Sequence, residues 1–310
     1  MGLLEAYLRA VGAGAALRSG VKVRCSRGFV LASSASLILP AVLAVGIALN
    51  AYFYGLEFVV SLRFALMVVS TVMVYEVTTR IVSERVSLTL GTLEDMCTSL
   101  VLTASGARGL TCGGGRVELR FRGQPKGACV VTLHVPSARV PISLRASQRE
   151  LRAIVERLRH PLSELLAKML DCGVRALELR GFRGASIELP GRSADLPGVW
   201  LRAEFVTASP RESVSCVAEL VRALGDGEAV ASLASAAIEA GVAECDVGGM
   251  YEDLLSYHET FFGERARAVL ERLIQRASGE DRAPRNLAVV RAWRHMIAAR
   301  RAKRSGLARG

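Results

Sequence analysis

Residues 28–56 contain no charged side chain, and this one run constrains the fold more than any other feature of the chain. Its core, FVLASSASLILPAVLAVGIALNAYFYG, is longer than the ~20 residues a helix needs to cross the hydrocarbon layer of a bilayer. Pro40 falls inside it, which a membrane helix tolerates because its neighbours re-satisfy the freed carbonyl. Tyr52, Phe53 and Tyr54 close the run, where amphipathic rings favour the headgroup layer. A second apolar stretch, Phe58 to Val77, carries Arg63 and Glu76 near its ends. There Arg63 can snorkel outward and Glu76 can sit at the inner interface.

Flanking charge orients the pair. Residues 1–27 hold Arg9, Arg18, Lys22, Arg24 and Arg27 against Glu5, whereas the loop between the spans has Glu57 and no base. Positive-inside logic then puts both termini in the cytoplasm. A signal peptide has a shorter apolar region and a small-residue cleavage site. A buried hairpin in a soluble protein differs only in uninterrupted length. The expectation is a multi-pass protein of the cell membrane. A basic cytoplasmic segment over 1–27 precedes a two-helix transmembrane hairpin over 28–77.

The rest of the chain reads differently. Net charge is +11, and of 40 basic residues only Lys22, Lys126, Lys168 and Lys303 are lysine. Asn50 and Asn286 are the only asparagines. Scarce amides fit a thermophilic protein, a bias that a GC-rich genome also produces. Seven dispersed cysteines without a CxxC pair read as reduced thiols, mostly small core residues. No Cys or His spacing is typical of zinc, and no cofactor is called for.

Residues 78–111 read as a helical connector, with Thr92 to Glu94 as a break or cap. An α+β cytoplasmic domain is expected over 112–225, a helical extension over 226–281 and a basic amphipathic segment over 282–310. Period-two alternation marks strands at 116–121, 128–135, 139–145, 175–182, 185–190 and 198–208. In the first, Val117, Leu119 and Phe121 alternate with Arg116, Glu118 and Arg120, as a half-buried sheet requires. Between them, apolar residues from Leu151 to Leu170 recur at three- and four-residue steps. Pro161 kinks that helix or starts a second one. ASQRE (146–150) and ASPRE (208–212) each place Ser and Glu three apart between a strand and a helix, a capping-box pattern. This echo admits a duplicated βββα unit or convergent capping chemistry. Helices follow over 227–241 and 250–276, with Gly279 to Pro284 as a polar linker.

From Arg282 to Gly310 there are nine Lys or Arg and no acid. Leu287, Val290, Trp293 and Ile297 share one face of a helix there, with basic residues on the other. Arg291, Arg294, Arg300, Arg301, Lys303 and Arg304 are therefore the candidate contacts to anionic lipid headgroups or to RNA phosphates; a solvated tail is the bland alternative. His258 reads as a packed core histidine. His134, His160 and His295 form no triad or dyad by spacing. The glycines at 113–115 are no phosphate loop, since no GK[ST] follows and a strand comes next. Glu252, Asp253, Glu259 and Glu264 read as a solvated helix face.

These features lead to a membrane-anchored, non-catalytic adaptor. It would present a cytoplasmic domain to the bilayer surface and to a protein partner of unspecified identity. An RNA- or ribosome-tethering protein acting through the basic tail is the first alternative. An enzyme with a site assembled from distant residues is the second.

Overall fold

In the computed structural model, the uncharged run and the apolar stretch after it fold as two long helices, α1 (Arg27–Val59) and α2 (Leu62–Leu93), packed against each other. The structure describes residues 21–59, 61–123, 128–181, 186–189, 192–195, 198–206, 209–278 and 281–307. Arg9 and Arg18 of the basic N-terminal segment thus lie outside the described residues. The chain is a mixed α+β protein with a nine-stranded sheet, a separate two-stranded hairpin and, among the described residues, nine helices. It divides into two units, Met1–Cys112 with Glu118–Gly127 and Gly113–Val117 with Ala128–Gly310.

In the first unit, α2 alone among the described residues has the length and composition to cross a membrane. Its 32 residues reach ~48 Å at 1.5 Å per residue, well beyond a ~30 Å hydrocarbon core. The expected second span therefore has the firmer form. In α1 the helical ladder loses a rung at Pro40 and breaks at Gly55, whose φ of 65° lies in the left-handed region. Between them, Pro40–Gly55 is a shorter apolar helix.

Past its apolar part, α2 changes character. Val86, Thr89, Leu90, Thr92 and Leu93 are buried, because here the helix covers strands β2 (Cys97–Thr103) and β3 (Gly106–Thr111). This hairpin corrects the reading of 78–111 as wholly helical. The helix stops where the break was expected, with the Glu94 N–H donating to Leu90 O. Residues 97–111 then alternate, burying Cys97, Leu100, Leu102 and Ala107. Strand β1 (Lys22–Cys25) adds parallel to β2. With β4 (Arg116–Arg122) the order in this unit is β1-β2-β3-β4.

In the second unit the order is β5-β10-β7-β6-β11, with β5 Ala128–Val135, β6 Ser143–Ser147, β7 Val174–Arg180, β10 Val199–Phe205 and β11 Cys245–Asp246. β10 runs antiparallel to both β5 and β7, and β6 antiparallel to β7. The strand expected over 185–190 is β8 (Ser186–Leu189), which pairs with β9 (Arg192–Asp195) outside the main sheet. Pro161 starts a second helix: α3 (Gln148–Arg157) and α4 (Leu162–Asp171) are separate.

The two capping echoes diverge. At α3 the Ser147 N–H donates to Glu150 Oε2 at 2.7 Å and the Glu150 N–H to Ser147 Oγ at 3.5 Å, a closed capping box. At α5 (Pro210–Ala223), Ser209 makes no side-chain cap and Pro210 stands at the helix start, where its fixed φ suits the first turn.

The region expected as one helix over 250–276 is two, α7 (Gly248–Phe262) and α8 (Glu264–Ser278). Gly263, at φ 81°, separates them. Helices α6 (Gly227–Glu239) and α9 (Arg282–Leu307) complete the unit, and α9 packs on α6, α7 and α8. Helix α9 starts inside the stretch expected as a linker.

Candidate interaction surfaces

The apolar side chains of α2 are largely uncovered. Leu62, Leu66, Val69, Val72, Met73 and Val77 are exposed, Leu62 at 76% and Met73 at 65%. Its apolar window has no buried residue at all. Three threonine hydroxyls on this part of the helix bond within it: Thr71 donates to Met67 O at 2.8 Å, Thr78 to Val74 O at 2.7 Å and Thr79 to Tyr75 O at 2.7 Å. In α1, Asn50 Nδ2 donates to Gly46 O at 2.8 Å. Polar groups satisfied inside their own helix are what hydrocarbon demands, since lipid offers them no partner. Arg63 is exposed on the first turn of α2. Ser61 caps this end, its hydroxyl accepting from Phe64 N–H at 3.3 Å.

The basic C-terminal segment is a helix, but its apolar face is occupied. Val289, Val290, Trp293 and Met296 are buried, with Leu287 and Ile297 half-buried. This stripe forms the contact of α9 with α6, α7 and α8. Several of the basic residues are engaged as well. Arg294 donates to Ser232 Oγ at 3.3 Å. Arg301 pairs with Asp226 and with Glu228, the latter at 3.0 Å, so it meets the N-cap and a first-turn acid of α6. The Arg300 guanidinium stands 4.4 Å from the Tyr257 ring centroid and Lys303 Nζ 5.0 Å from that of Phe261, within cation–π range. Arg291 is exposed; the Arg304 side chain lies outside the described residues.

Asp253, expected on a solvated face, is half-buried between α7 and α9. Burial raises its carboxyl above the usual aspartate range, and the charges of Arg300 and Arg139 oppose that rise. The indole N–H of Trp293 faces it without reaching hydrogen-bond geometry. His258 is half-buried, its ring 5.5 Å from that of Phe262. His134 is buried in β5 beside Trp200.

A different surface, which periodicity did not single out, is open. Phe261 and Phe262 at the end of α7 and Val269 and Leu273 on α8 are 52%, 65%, 56% and 57% exposed. Arg265, Arg272 and Arg276, also exposed, sit three or four residues from Val269 or Leu273 and so share their face. The two helices are tied across Gly263 by Arg267, which donates to Glu259 at 2.6 Å and to Glu271 at 3.3 Å. The signal available in the sequence was the i,i+4 pair Val269/Leu273, set among arginines that suggest a solvated face.

A shallow cleft of about 190 Å³ opens beside β6, β7 and β11. Much of its charged lining is paired: Arg180 with Glu178 and Arg145 with Glu244, while Asp246 Oδ1 accepts from Gly248 N–H at 2.9 Å and Arg282 also lines the cleft. Among the described residues no group of three or more His, Cys, Asp or Glu is placed to hold a metal ion.

No protein-family model, curated protein or solved structure matches the chain.

Proposed function

We propose that this chain is a membrane-anchored adaptor. In this reading α1 and α2 form a hairpin in the cell membrane with both termini on the cytoplasmic side. The α+β domain then offers its α7–α8 surface to a protein partner. The observation that carries the reading is that Phe261, Phe262, Val269 and Leu273, on the adjoining helices α7 and α8, are large apolar side chains more than half exposed on a unit that buries most others. Exposed apolar patches of this kind, rimmed by polar residues, mark interaction sites. The arginines around it favour a partner surface with an apolar centre and an acidic rim.

The internal contacts of Arg294, Arg300, Arg301 and Lys303 weigh against α9 as the element that grips lipid or RNA. The test is mild detergent extraction of the full-length protein after crosslinking in cells, beside the double variant Phe262→Asp/Leu273→Asp. A stoichiometric protein partner should co-purify with the wild type and be lost from the variant, with the variant's circular dichroism unchanged. Recovery of the wild type alone, or equal capture by both forms, would overturn the reading.

A further inference from the structure

Along α2 no side chain is buried before Val86, and from there one face is, at Val86, Thr89, Leu90, Thr92 and Leu93. The passage from uncovered helix to folded unit therefore begins around residues 82–86. A small cleft lies at this level, within the first unit. Phe29, Ser33, Ile81, Val82, Val86, Leu102 and Phe121 supply most of its wall, and Arg85 is the one ionisable side chain in its lining. The guanidinium is fixed at one end, Nη2 donating to Gly123 O at 2.8 Å. Its Nε is buried with no hydrogen-bond partner. A buried donor on a permanent cation is costly to leave unmade, and no carboxylate pairs with Arg85 among the described residues. The neighbouring Arg80 differs, for its charge is met by Glu84 at 3.3 Å.

We infer that this cleft is a binding site for the phosphate-bearing headgroup of an anionic membrane lipid. The inference rests on the membrane reading of α2. The phosphate completes the hydrogen bonding of Arg85, and the adjoining part of the lipid lies on the apolar wall that runs into Ile81. The volume of about 80 Å³ exceeds the ~30 Å³ share of one water. It admits a headgroup fragment, with the acyl chains remaining in the bilayer beside α2. The apolar part of α2 ends near Val77, and Arg85 stands eight residues, or ~12 Å, further along the helix, on the headgroup side of that end.

The test uses the full-length protein in nanodiscs of phosphatidylcholine with increasing phosphatidylglycerol, released and weighed by native mass spectrometry. One phosphatidylglycerol should be retained in preference to phosphatidylcholine. Arg85→Ala should lower that preference about tenfold, as expected for losing a charge-assisted hydrogen bond. Arg85→Lys should keep part of it, and the Arg149→Ala/Arg152→Ala double variant, which alters two exposed arginines of α3, all of it. Inorganic phosphate added in excess should leave the adduct in place, since it lacks the chain-bearing part.

Equal retention of the two lipids by the wild type would overturn the site whatever the variants do. So would an Arg85→Ala variant that retains lipid like the wild type, or displacement of the lipid by inorganic phosphate. A protein that inserts but shows no preference sinks only this inference. One that stays in aqueous buffer, outside the nanodiscs, sinks the membrane reading with it.

Discussion

Trp293→Ala distinguishes a C-terminal helix built into the fold from one free to lie on another surface. Trp293 is 4% exposed, and a buried aromatic ring removes roughly 150–250 Å² from water. At ~25 cal/mol per Å² that is about 4–6 kcal/mol as an upper estimate, beside the ~3–5 kcal/mol that Trp or Phe to Ala substitutions cost in cores. A domain of this size has about 5–15 kcal/mol in all, so the loss is large without being fatal. With a urea dependence of roughly 2 kcal/mol per M, the unfolding midpoint should fall by about 2 M.

The assay is far-UV circular dichroism of the full-length protein in detergent micelles. Trp293→Phe should lose much less, and the exposed Arg291→Ala should stay within about 0.5 kcal/mol of the wild type. A Trp293→Ala midpoint equal to that of Arg291→Ala would refute the burial of this face. It would return α9 to the role of a free amphipathic helix.

Further outcomes follow from the same contacts. The Ser147 hydrogen bonds hold Glu150 below the usual carboxylate range, so their stabilisation is present at neutral pH and lost as pH falls through that lowered value. Ser147→Ala should cost about 1 kcal/mol at neutral pH, with the gap to wild type closing in acid; a gap independent of pH would count against the capping box. Asp253 has the opposite sign: burial raises its pKa, so the folded state binds the extra proton and stability falls as pH climbs from the ordinary aspartate range through the raised value. Asp253→Asn should remove that fall, and denaturation midpoints measured from mildly acid to neutral pH will show whether it does. Native maleimide labelling followed by peptide mass spectrometry should modify the exposed Cys112. It should spare Cys97, Cys129 and Cys216 until denaturant is added, since these thiols are buried and burial pushes Cys216 up to about 12; early labelling of Cys216 would contradict the packing of α5.

How far the sequence disclosed this architecture depended on whether the signal was local. The alternation of Val117, Leu119 and Phe121, the break at Pro161 and the Ser147/Glu150 box are all written within a few residues, and all appear. Strand β1 was hidden because its partner β2 lies far along the chain, and a four-residue strand carries no pattern of its own. The β2–β3 hairpin was masked by the helix running into it: Leu93 and Met96 extend an apolar helical rhythm just before Leu100 and Leu102 begin to alternate. Burial of α9 was illegible for a different reason. Periodicity reveals that Val290, Trp293 and Ile297 share a face, and amphipathic helices that lie on lipid and those that dock on protein have the same period. For the same reason the open patch on α8 escaped notice, since its two aliphatic residues stand among three arginines.

The central claim is that α2, with α1 beside it, is solvated by lipid, and alkaline carbonate extraction of membranes carrying the full-length protein tests it most directly. The account requires the chain to stay in the membrane pellet through the carbonate wash and to come off only with detergent. Quantitative release into the carbonate supernatant would contradict it, because the apolar side chains from Leu62 to Val77 would then have to be covered by something other than a bilayer.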